Sequence, residues 1–166
     1  LRHIPNLTVM APKDDLELKA MLELALKHNG PSAIRYPRGK VQPSGISRQT
    51  SAFDIGKAEI LKEGSDMALV AIGNAVHPAL GAAERLEKEG IKASVINARF
   101  IKPIDKELIL KMASKTKRII TVEENMIAGG FGSAVLEYLN SMDIPDIKIK
   151  ILGIPDEFVE QGSQAI

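Results

Sequence analysis

The sequence has no cysteine and no tryptophan, and only 4% of its 166 residues are aromatic. The absence of cysteine excludes disulfide bonds and thiolate metal ligands, and it is compatible with a reducing compartment. No apolar run reaches the length of about eighteen residues that a membrane-spanning helix needs. The N-terminal residues also lack the apolar core and small-residue cleavage site of a signal peptide. We therefore expect a cytoplasmic protein without a membrane partner.

A dominant charge is also missing. The 22 basic and 21 acidic residues give a formal net charge of +1, and neither sign forms a long block. This balance does not indicate a nucleic-acid or lipid partner, so any anion site must be local. The length suits one complete α/β domain plus part of another. Because neither end shows a terminal element, we treat the chain as part of a longer protein.

The first 39 residues predict a strand, a helix and a second strand. Residues 7–11 form a short apolar run, and residues 32–39, SAIRYPRG, combine a β-prone stretch with a proline- and glycine-containing loop. Between them, Asp14 and Glu17 have the spacing of an N-terminal capping box. The predicted apolar face of the helix consists of Leu18, Met21, Leu22 and Ala25.

Three regions follow from the pattern along the chain. Residues 1–39 are expected to be the end of one α/β domain, residues 40–56 a linker, and residues 57–166 a second domain. In the last region strands alternate with helices predicted near residues 78–89, 106–114 and 131–141. Such alternation indicates an α/β fold with a mostly parallel sheet flanked by helices.

Two arginines near the end of the second strand are the main candidates for anion binding. Arg35 and Arg38 lie in RYPRG, where a strand passes into a loop. Two neighbouring guanidinium groups can present directional donors to one anion, and phosphate is the natural ligand. Alternatively, Arg35 pairs with Asp14 or Asp15 while Arg38 faces solvent. The spacing leaves both interpretations open.

The segment GGFGS, residues 129–133, superficially resembles a phosphate-binding loop. It lacks the spacing of a dinucleotide-binding motif, because EENMIA separates it from the body of the preceding strand, and no P-loop lysine follows. We expect its glycines to allow a tight turn and close helix packing.

Glu123 and Glu124 end the strand RIITVEE, at the edge where open α/β sheets bind ligands. They are therefore candidates for acid–base chemistry or metal binding. No histidine or aspartate accompanies them at ligand spacing. The favoured interpretation is a solvated carboxylate or a salt bridge to Arg118 or Lys117.

The remaining chemistry-bearing residues form no recognisable site. The histidines His3, His28 and His77 do not show metal-ligand spacing, and no serine stands in a G-x-S-x-G nucleophile motif. Asn74 and His77 lie in the turn GNAVHP, where they are expected to cap the following helix. We assign no catalytic, metal-binding or cofactor-binding residue within the chain.

Several strings resemble one enzyme family in the expected order. LRHIPNLTVMAPKDDLEL and GPSAIRYPRG are similar to the end of the pyrimidine-binding domain of the 1-deoxy-D-xylulose-5-phosphate synthases, members of the transketolase superfamily. INARFIKPID, TVEENMIAGGFGSAV and LGIPDEFVEQGSQ resemble landmarks of their C-terminal domain. The resemblance covers essentially the whole chain and implies a transketolase C-terminal-like domain preceded by a remnant of the pyrimidine-binding domain.

The resemblance also implies a function and partners. Enzymes of this family condense pyruvate with D-glyceraldehyde 3-phosphate and release carbon dioxide. Their product, 1-deoxy-D-xylulose 5-phosphate, is a precursor of isoprenoids, thiamine and pyridoxal. They use thiamine diphosphate and Mg²⁺, and a homodimer is implied. Arg38 matches the family arginine that binds the phosphate of the aldehyde substrate, and Arg35 is expected to be a supporting charge.

Other expectations follow from what has no counterpart in the chain. The GDG-type cofactor motif, the glutamate that activates the aminopyrimidine and the histidines of the substrate pocket are expected in a missing N-terminal portion, so the isolated chain should be inactive. Transketolase proper and the β subunits of 2-oxoacid dehydrogenases share the same domain pair, but RYPRG and LGIPDEFVEQG favour the synthases. Two non-catalytic alternatives are a dimerisation domain and a nucleotide-binding module that uses GGFGS and GNAV.

Overall fold

A computed structural model describes residues 1–39 and 54–160. Most of the linker predicted at residues 40–56 lies outside the described residues. The described strands are β1 Thr8–Met10, β2 Ser32–Ile34, β3 Glu59–Lys62, β4 Met67–Ala71, β5 Ala93–Asn97, β6 Phe100–Lys102, β7 Arg118–Met126 and β8 Lys148–Ile154. The α-helices are α1 Asp15–Lys27, α2 Val76–Lys88, α3 Lys106–Thr116 and α4 Phe131–Asn140.

The larger sheet has five strands in the order β3-β5-β4-β7-β8. All neighbours are parallel except β3, which runs antiparallel to β5 at one edge. Buried residues of α3 and α4 pack on one face against Val70 and Ile96. Residues of α2 pack on the other face against Leu69 and Val95. Helices cover both faces because a parallel sheet needs apolar cover on each of them. The predicted α/β class and the mostly parallel sheet are confirmed.

The smaller sheet has three strands in the order β2-β1-β6. Strands β1 and β2 are parallel, whereas β6 runs antiparallel to β1. The sequence pattern did not indicate β6, because a three-residue strand shows too little periodicity. Strand β6 follows β5 almost directly, so the chain passes from the five-stranded sheet into the smaller one. Phe100 on β6 is fully buried against Met10 and Met21.

Helix α1 begins at the predicted cap. The Asp14 carboxylate accepts a hydrogen bond of 2.8 Å from the Glu17 backbone N–H, while Glu17 accepts one of 3.0 Å from the N–H of Lys13. The predicted apolar face is partly wrong, because Leu22 is 56% exposed. The helix packs through Met21, with Leu24 and Ala25 beside it, and Leu22 lies about 100° further round the helix.

Helix α3 begins at Lys106, where the sequence predicts its start, and Asp105 is its N-cap. Asp105 accepts a 3.0 Å hydrogen bond from the Leu108 N–H, and its second oxygen accepts one of 3.0 Å from Ala58 next to β3. The cap therefore ties the helix to the edge of the five-stranded sheet. Across residues 1–39 and 54–160, no helix combines the length and apolar character needed to cross a membrane.

Candidate functional site

The arginine loop, residues 35–39, follows β2 at its carboxyl end. Because β1 and β2 are parallel, residues 12–14 after β1 lie beside this loop. A small pocket between the two loops is lined in part by Pro12, Asp14, Tyr36 and Asn74. Asn74 comes from the turn after β4, so the five-stranded sheet also contributes to the pocket.

Arg38 is exposed in this loop. Within residues 1–39 and 54–160, it forms no hydrogen bond or ion pair. This placement fits both interpretations that the sequence leaves open, so phosphate binding by Arg38 stays a prediction.

Arg35 has different surroundings. Its backbone N–H donates a 2.8 Å hydrogen bond to the carbonyl oxygen of Met10. Its side chain extends towards the five-stranded sheet, where Nη1 lies 3.9 Å from Oε2 of Glu124. This carboxylate replaces Asp14 and Asp15, the partners considered from the sequence. Among the described residues, Arg35 and Arg38 share no hydrogen-bond or ion-pair partner, and their joint role at an anion site stays a prediction.

Glu123 caps helix α4 from the preceding strand. Its two carboxylate oxygens accept hydrogen bonds of 2.8 Å from the N–H of Phe131 and 2.7 Å from the N–H of Gly132. The helix needs this cap because Gly130, at the N-cap position, has no side chain. A carboxylate of the protein thus fills the place that a bound phosphate would take.

The glycines of GGFGS permit close packing, as predicted. A Cβ atom at Gly130 would overlap the carbonyl oxygen of Met126, and one at Gly132 would overlap Ile151. Gly129 has a positive φ of 72°, which favours glycine in the turn. Together with the Glu123 cap, this packing argues against a nucleotide at GGFGS.

The interpretation of Glu123 as solvated or paired with Arg118 or Lys117 is wrong. Glu123 is only 5% exposed, and the two basic residues lie at the opposite end of β7. Burial raises the pKa of the Glu123 carboxyl, although the N–H donors of Gly132 and Phe131 act in the opposite direction. A glycine at the N-cap with a glutamate at the end of the preceding strand was the signal that sequence reasoning overlooked.

We expect Glu123→Gln to destabilise the protein by about 1–2 kcal/mol at neutral pH, because the amide nitrogen would face a backbone donor that loses its acceptor. The raised pKa means that the Glu123 carboxyl binds a proton more tightly in the native than in the unfolded state, so its contribution to stability falls as pH rises through this pKa. The deficit of the variant should therefore be largest in acid and shrink as pH rises. Urea unfolding from about pH 3.5 to 7 measures it, with exposed Glu84→Gln as control. A deficit that grows with pH would contradict the prediction.

A buried ionic cluster, formed by Lys13, Glu17, Glu59, Asn97 and Arg99, joins α1 to the five-stranded sheet. Oε1 of Glu17 lies 2.9 Å from Nζ of Lys13, 2.8 Å from Nε of Arg99 and 2.7 Å from Nδ2 of Asn97. Glu59 on β3 lies 2.8 Å from Nη2 of Arg99 and 3.6 Å from Nζ of Lys13. The cluster therefore forms ion pairs and hydrogen bonds between the smaller sheet with its helix α1 and the five-stranded sheet.

The electrostatics of this cluster favour its ionised form. Burial raises the pKa of Glu17, but the charge of Lys13 and the hydrogen bonds from Arg99 and Lys13 lower it more, so the net pKa lies below its usual value. Sequence reasoning assigned Glu17 only to capping and missed its contacts with Asn97 and Arg99, because these residues lie about 80 positions away along the chain. The left-handed backbone of Arg99, with φ of 58°, was not visible in the sequence either.

The histidines do not form a metal site. Nε2 of His77 lies 2.9 Å from the carbonyl oxygen of Lys13, and α2 begins without a side-chain cap, so the capping role predicted for Asn74 and His77 is wrong. Nε2 of His28 lies 3.4 Å from Oγ1 of Thr8. In the part of the chain that the structure describes, no three His, Asp or Glu side chains converge as metal ligands.

Comparisons with known proteins agree with this architecture. Curated relatives include 1-deoxy-D-xylulose-5-phosphate synthase 1 of Geobacter metallireducens, 54% identical over 99% of this chain and 26% of the relative. The corresponding synthase of Desulfotalea psychrophila is 56% identical over 99% of this chain and 26% of the relative. The chain thus spans about a quarter of the length of these relatives.

Solved structures share the fold. A structure described as a split gene transketolase, inactive β4 tetramer, superposes with a TM-score of 0.85 at 36% identity, covering 96% of this chain and 52% of that one. Transketolase of Campylobacter jejuni superposes with a TM-score of 0.67 at 24% identity, covering 97% of this chain and 23% of that one. The second likeness shows the fold alone.

Family models divide the chain in two. Residues 1–43 match the transketolase pyrimidine binding domain, and residues 56–166 match the transketolase C-terminal domain. The second match alone covers well over half of the chain, and it includes the five-stranded sheet with the helices on both of its faces. The chain therefore belongs to the transketolase family.

Proposed function

We propose that the chain is part of a thiamine-diphosphate-dependent synthase that condenses pyruvate with D-glyceraldehyde 3-phosphate to 1-deoxy-D-xylulose 5-phosphate and carbon dioxide. The main support is the identity of 54–56% with synthases of this name along nearly the whole chain. We also propose that the whole enzyme is a cytoplasmic homodimer.

The placement of Arg38 adds support to the proposal. It lies exposed at the carboxyl end of β2 and has no partner among the described residues, so its five N–H donors remain available to an anion. A planar guanidinium group matches the geometry of phosphate oxygens. We propose that Arg38 binds the phosphate of D-glyceraldehyde 3-phosphate, with Arg35 as a supporting charge.

The described residues do not fit a thiamine-diphosphate and Mg²⁺ site. Residues 1–39 and 54–160 bring together no set of metal-ligating side chains, and Glu123 occupies the helix N-terminus at GGFGS. We therefore propose that other parts of the whole enzyme hold the cofactor.

The test of this function uses the full-length enzyme supplied with thiamine diphosphate and Mg²⁺. We expect formation of 1-deoxy-D-xylulose 5-phosphate from pyruvate and D-glyceraldehyde 3-phosphate, with release of carbon dioxide. Two-carbon transfer from a ketose phosphate to an aldose phosphate without use of pyruvate would favour transketolase proper. Decarboxylation of pyruvate with transfer of the remaining two-carbon unit to a lipoyl group would favour a 2-oxoacid dehydrogenase.

The isolated 166-residue chain is expected to show no synthase activity under the same conditions, because the GDG-type cofactor motif of the family has no counterpart in its sequence. The split gene transketolase of similar fold is itself described as inactive. The measurement is product formation by the purified chain, with full-length enzyme as positive control. Turnover that persists after repeated purification would overturn the expectation.

A further inference from the structure

The five-stranded sheet has a crevice at the carboxyl ends of β4 and β7. The chain leaves β4 for α2 on one face of the sheet, whereas it leaves β7 for α4 on the other face. The two connections diverge, and open α/β sheets bind ligands at such topological switch points. In this protein, Gly73 follows β4 and Glu124 lies near the end of β7.

Arg35 occupies this crevice. Its Nη1 lies 3.9 Å from Oε2 of Glu124, and a Cβ atom at Gly73 would lie 3.2 Å from Nη2. Gly73 also has a positive φ of 62°, so both the backbone conformation and the close approach of Arg35 favour glycine at this position. The Nε atom of Arg35 is buried and has no hydrogen-bond partner among the described residues. The side chain, which is 31% exposed, thus lies against the five-stranded sheet although it belongs to the loop after β2.

The Glu124 carboxylate, which faces Arg35, is not engaged in another ion pair among the described residues. Glu123, its neighbour, already accepts two backbone hydrogen bonds at α4. The backbone of Arg35 is fixed at the same time by its hydrogen bond to Met10. Arg35 is therefore held at both its main chain and its guanidinium group, three residues before Arg38.

We propose that Arg35 is a positioning residue that anchors the arginine loop in the crevice beside Gly73 and Glu124, and so sets the place of Arg38. The inference rests on the proposed function and assigns the five-stranded sheet a role in it. A ligand role for Arg35 itself would require its guanidinium group to leave Glu124, whose negative charge also disfavours a nearby phosphate.

The experiment measures the preference of the full-length enzyme for a phosphorylated acceptor. The variants are Arg35→Gln, Arg35→Lys, Glu124→Gln and the double variant Arg35→Gln/Glu124→Gln. The readout is kcat/KM for D-glyceraldehyde 3-phosphate divided by kcat/KM for D-glyceraldehyde. Arg118→Gln, at the opposite end of β7, and Glu84→Gln on α2 are matched controls because both residues are exposed.

A positioning role predicts a specific pattern. Arg35→Gln should lower the preference about tenfold, well below the ~100-fold that a 1 Å misplacement can cost. Glu124→Gln should lower it in the same direction by about threefold, and the double variant should lose no more than Arg35→Gln, since contacting residues are not additive. Arg35→Lys should retain part of the preference, and both controls should retain all of it.

Two results would overturn the inference. If Glu124→Gln leaves the preference unchanged or raises it while Arg35→Gln lowers it, Arg35 contacts the phosphate directly. If the Arg35 variants weaken both acceptors equally, Arg35 only stabilises the fold.

Failure of the proposed function would look different, because the parent enzyme would then not form product from pyruvate and either acceptor. The contact itself would still be testable by a double-mutant cycle on thermal unfolding. Additive Arg35 and Glu124 changes in that cycle would overturn the anchor independently of activity.

Discussion

Arg38→Ala in the full-length enzyme is expected to lower kcat/KM for D-glyceraldehyde 3-phosphate about ten- to hundredfold. A hydrogen bond to a charged group contributes roughly 1.5–3 kcal/mol, and about 1.4 kcal/mol corresponds to a factor of ten. The steps that involve pyruvate alone should change much less, because they do not need the phosphate of the second substrate. Arg38→Lys should recover only part of the loss, since it keeps the charge but not the planar fork.

The measurement compares D-glyceraldehyde 3-phosphate with unphosphorylated D-glyceraldehyde as acceptor. The loss should appear with the phosphorylated acceptor only, and Arg118→Ala serves as the control for removing an exposed arginine. If Arg38→Ala weakens both acceptors to the same extent, Arg38 is a structural residue and does not bind the phosphate.

Glu17→Gln is expected to destabilise the protein by about 3–5 kcal/mol at neutral pH, the typical cost of removing one partner from a buried ion pair. The variant keeps the size of the side chain but removes the charge that faces Lys13 and Arg99, both of which are buried. Glu59, and Asp14 at 3.4 Å from Nζ of Lys13, would then have to balance both. Urea unfolding of the variant measures the loss, with Glu84→Gln as the matched exposed control.

The pH dependence gives this prediction a second test. The native pKa of Glu17 is depressed, so the stability from its ionised form is present above the unfolded pKa and is lost as pH falls through the native pKa. The deficit of Glu17→Gln should therefore shrink on acidification, opposite in sign to the deficit of Glu123→Gln. If the free energy of unfolding falls by less than about 0.5 kcal/mol, the range of ordinary surface substitutions, the cluster contributes little to stability.

The main elements of the fold were predictable because their signals are local. Asp14 and Asp105 cap helices at the predicted positions, and MALVAIG has the continuous apolar character of a strand buried on both faces. Strand β6 was missed because its pairing with β1 depends on a contact between residues about 90 positions apart. Leu22 was misplaced for a related reason, since several stripes of α1 are apolar and only tertiary packing selects one.

The candidate site was predictable only in part. RYPRG could be recognised as a strand end with two guanidinium groups, but its sequence does not say which acidic residue each one meets. Arg35 contacts Glu124 because the fold places the end of β7 beside the loop after β2. The spacing of these residues along the chain does not reveal this contact. The sequence likewise does not reveal that Arg99 lies between the carboxylates of Glu17 and Glu59, because only the fold brings them together.

Strand β6 also bears on how the protein can be divided for experiments. A truncation that keeps only residues 56–166, the limits of the C-terminal family match, would retain β6 but remove β1, its described partner. The buried ring of Phe100 would lose its contacts with Met10 and Met21, and the backbone of β6 would present an unpaired edge. We expect such a fragment to aggregate, and a version that includes the first strand to stay soluble.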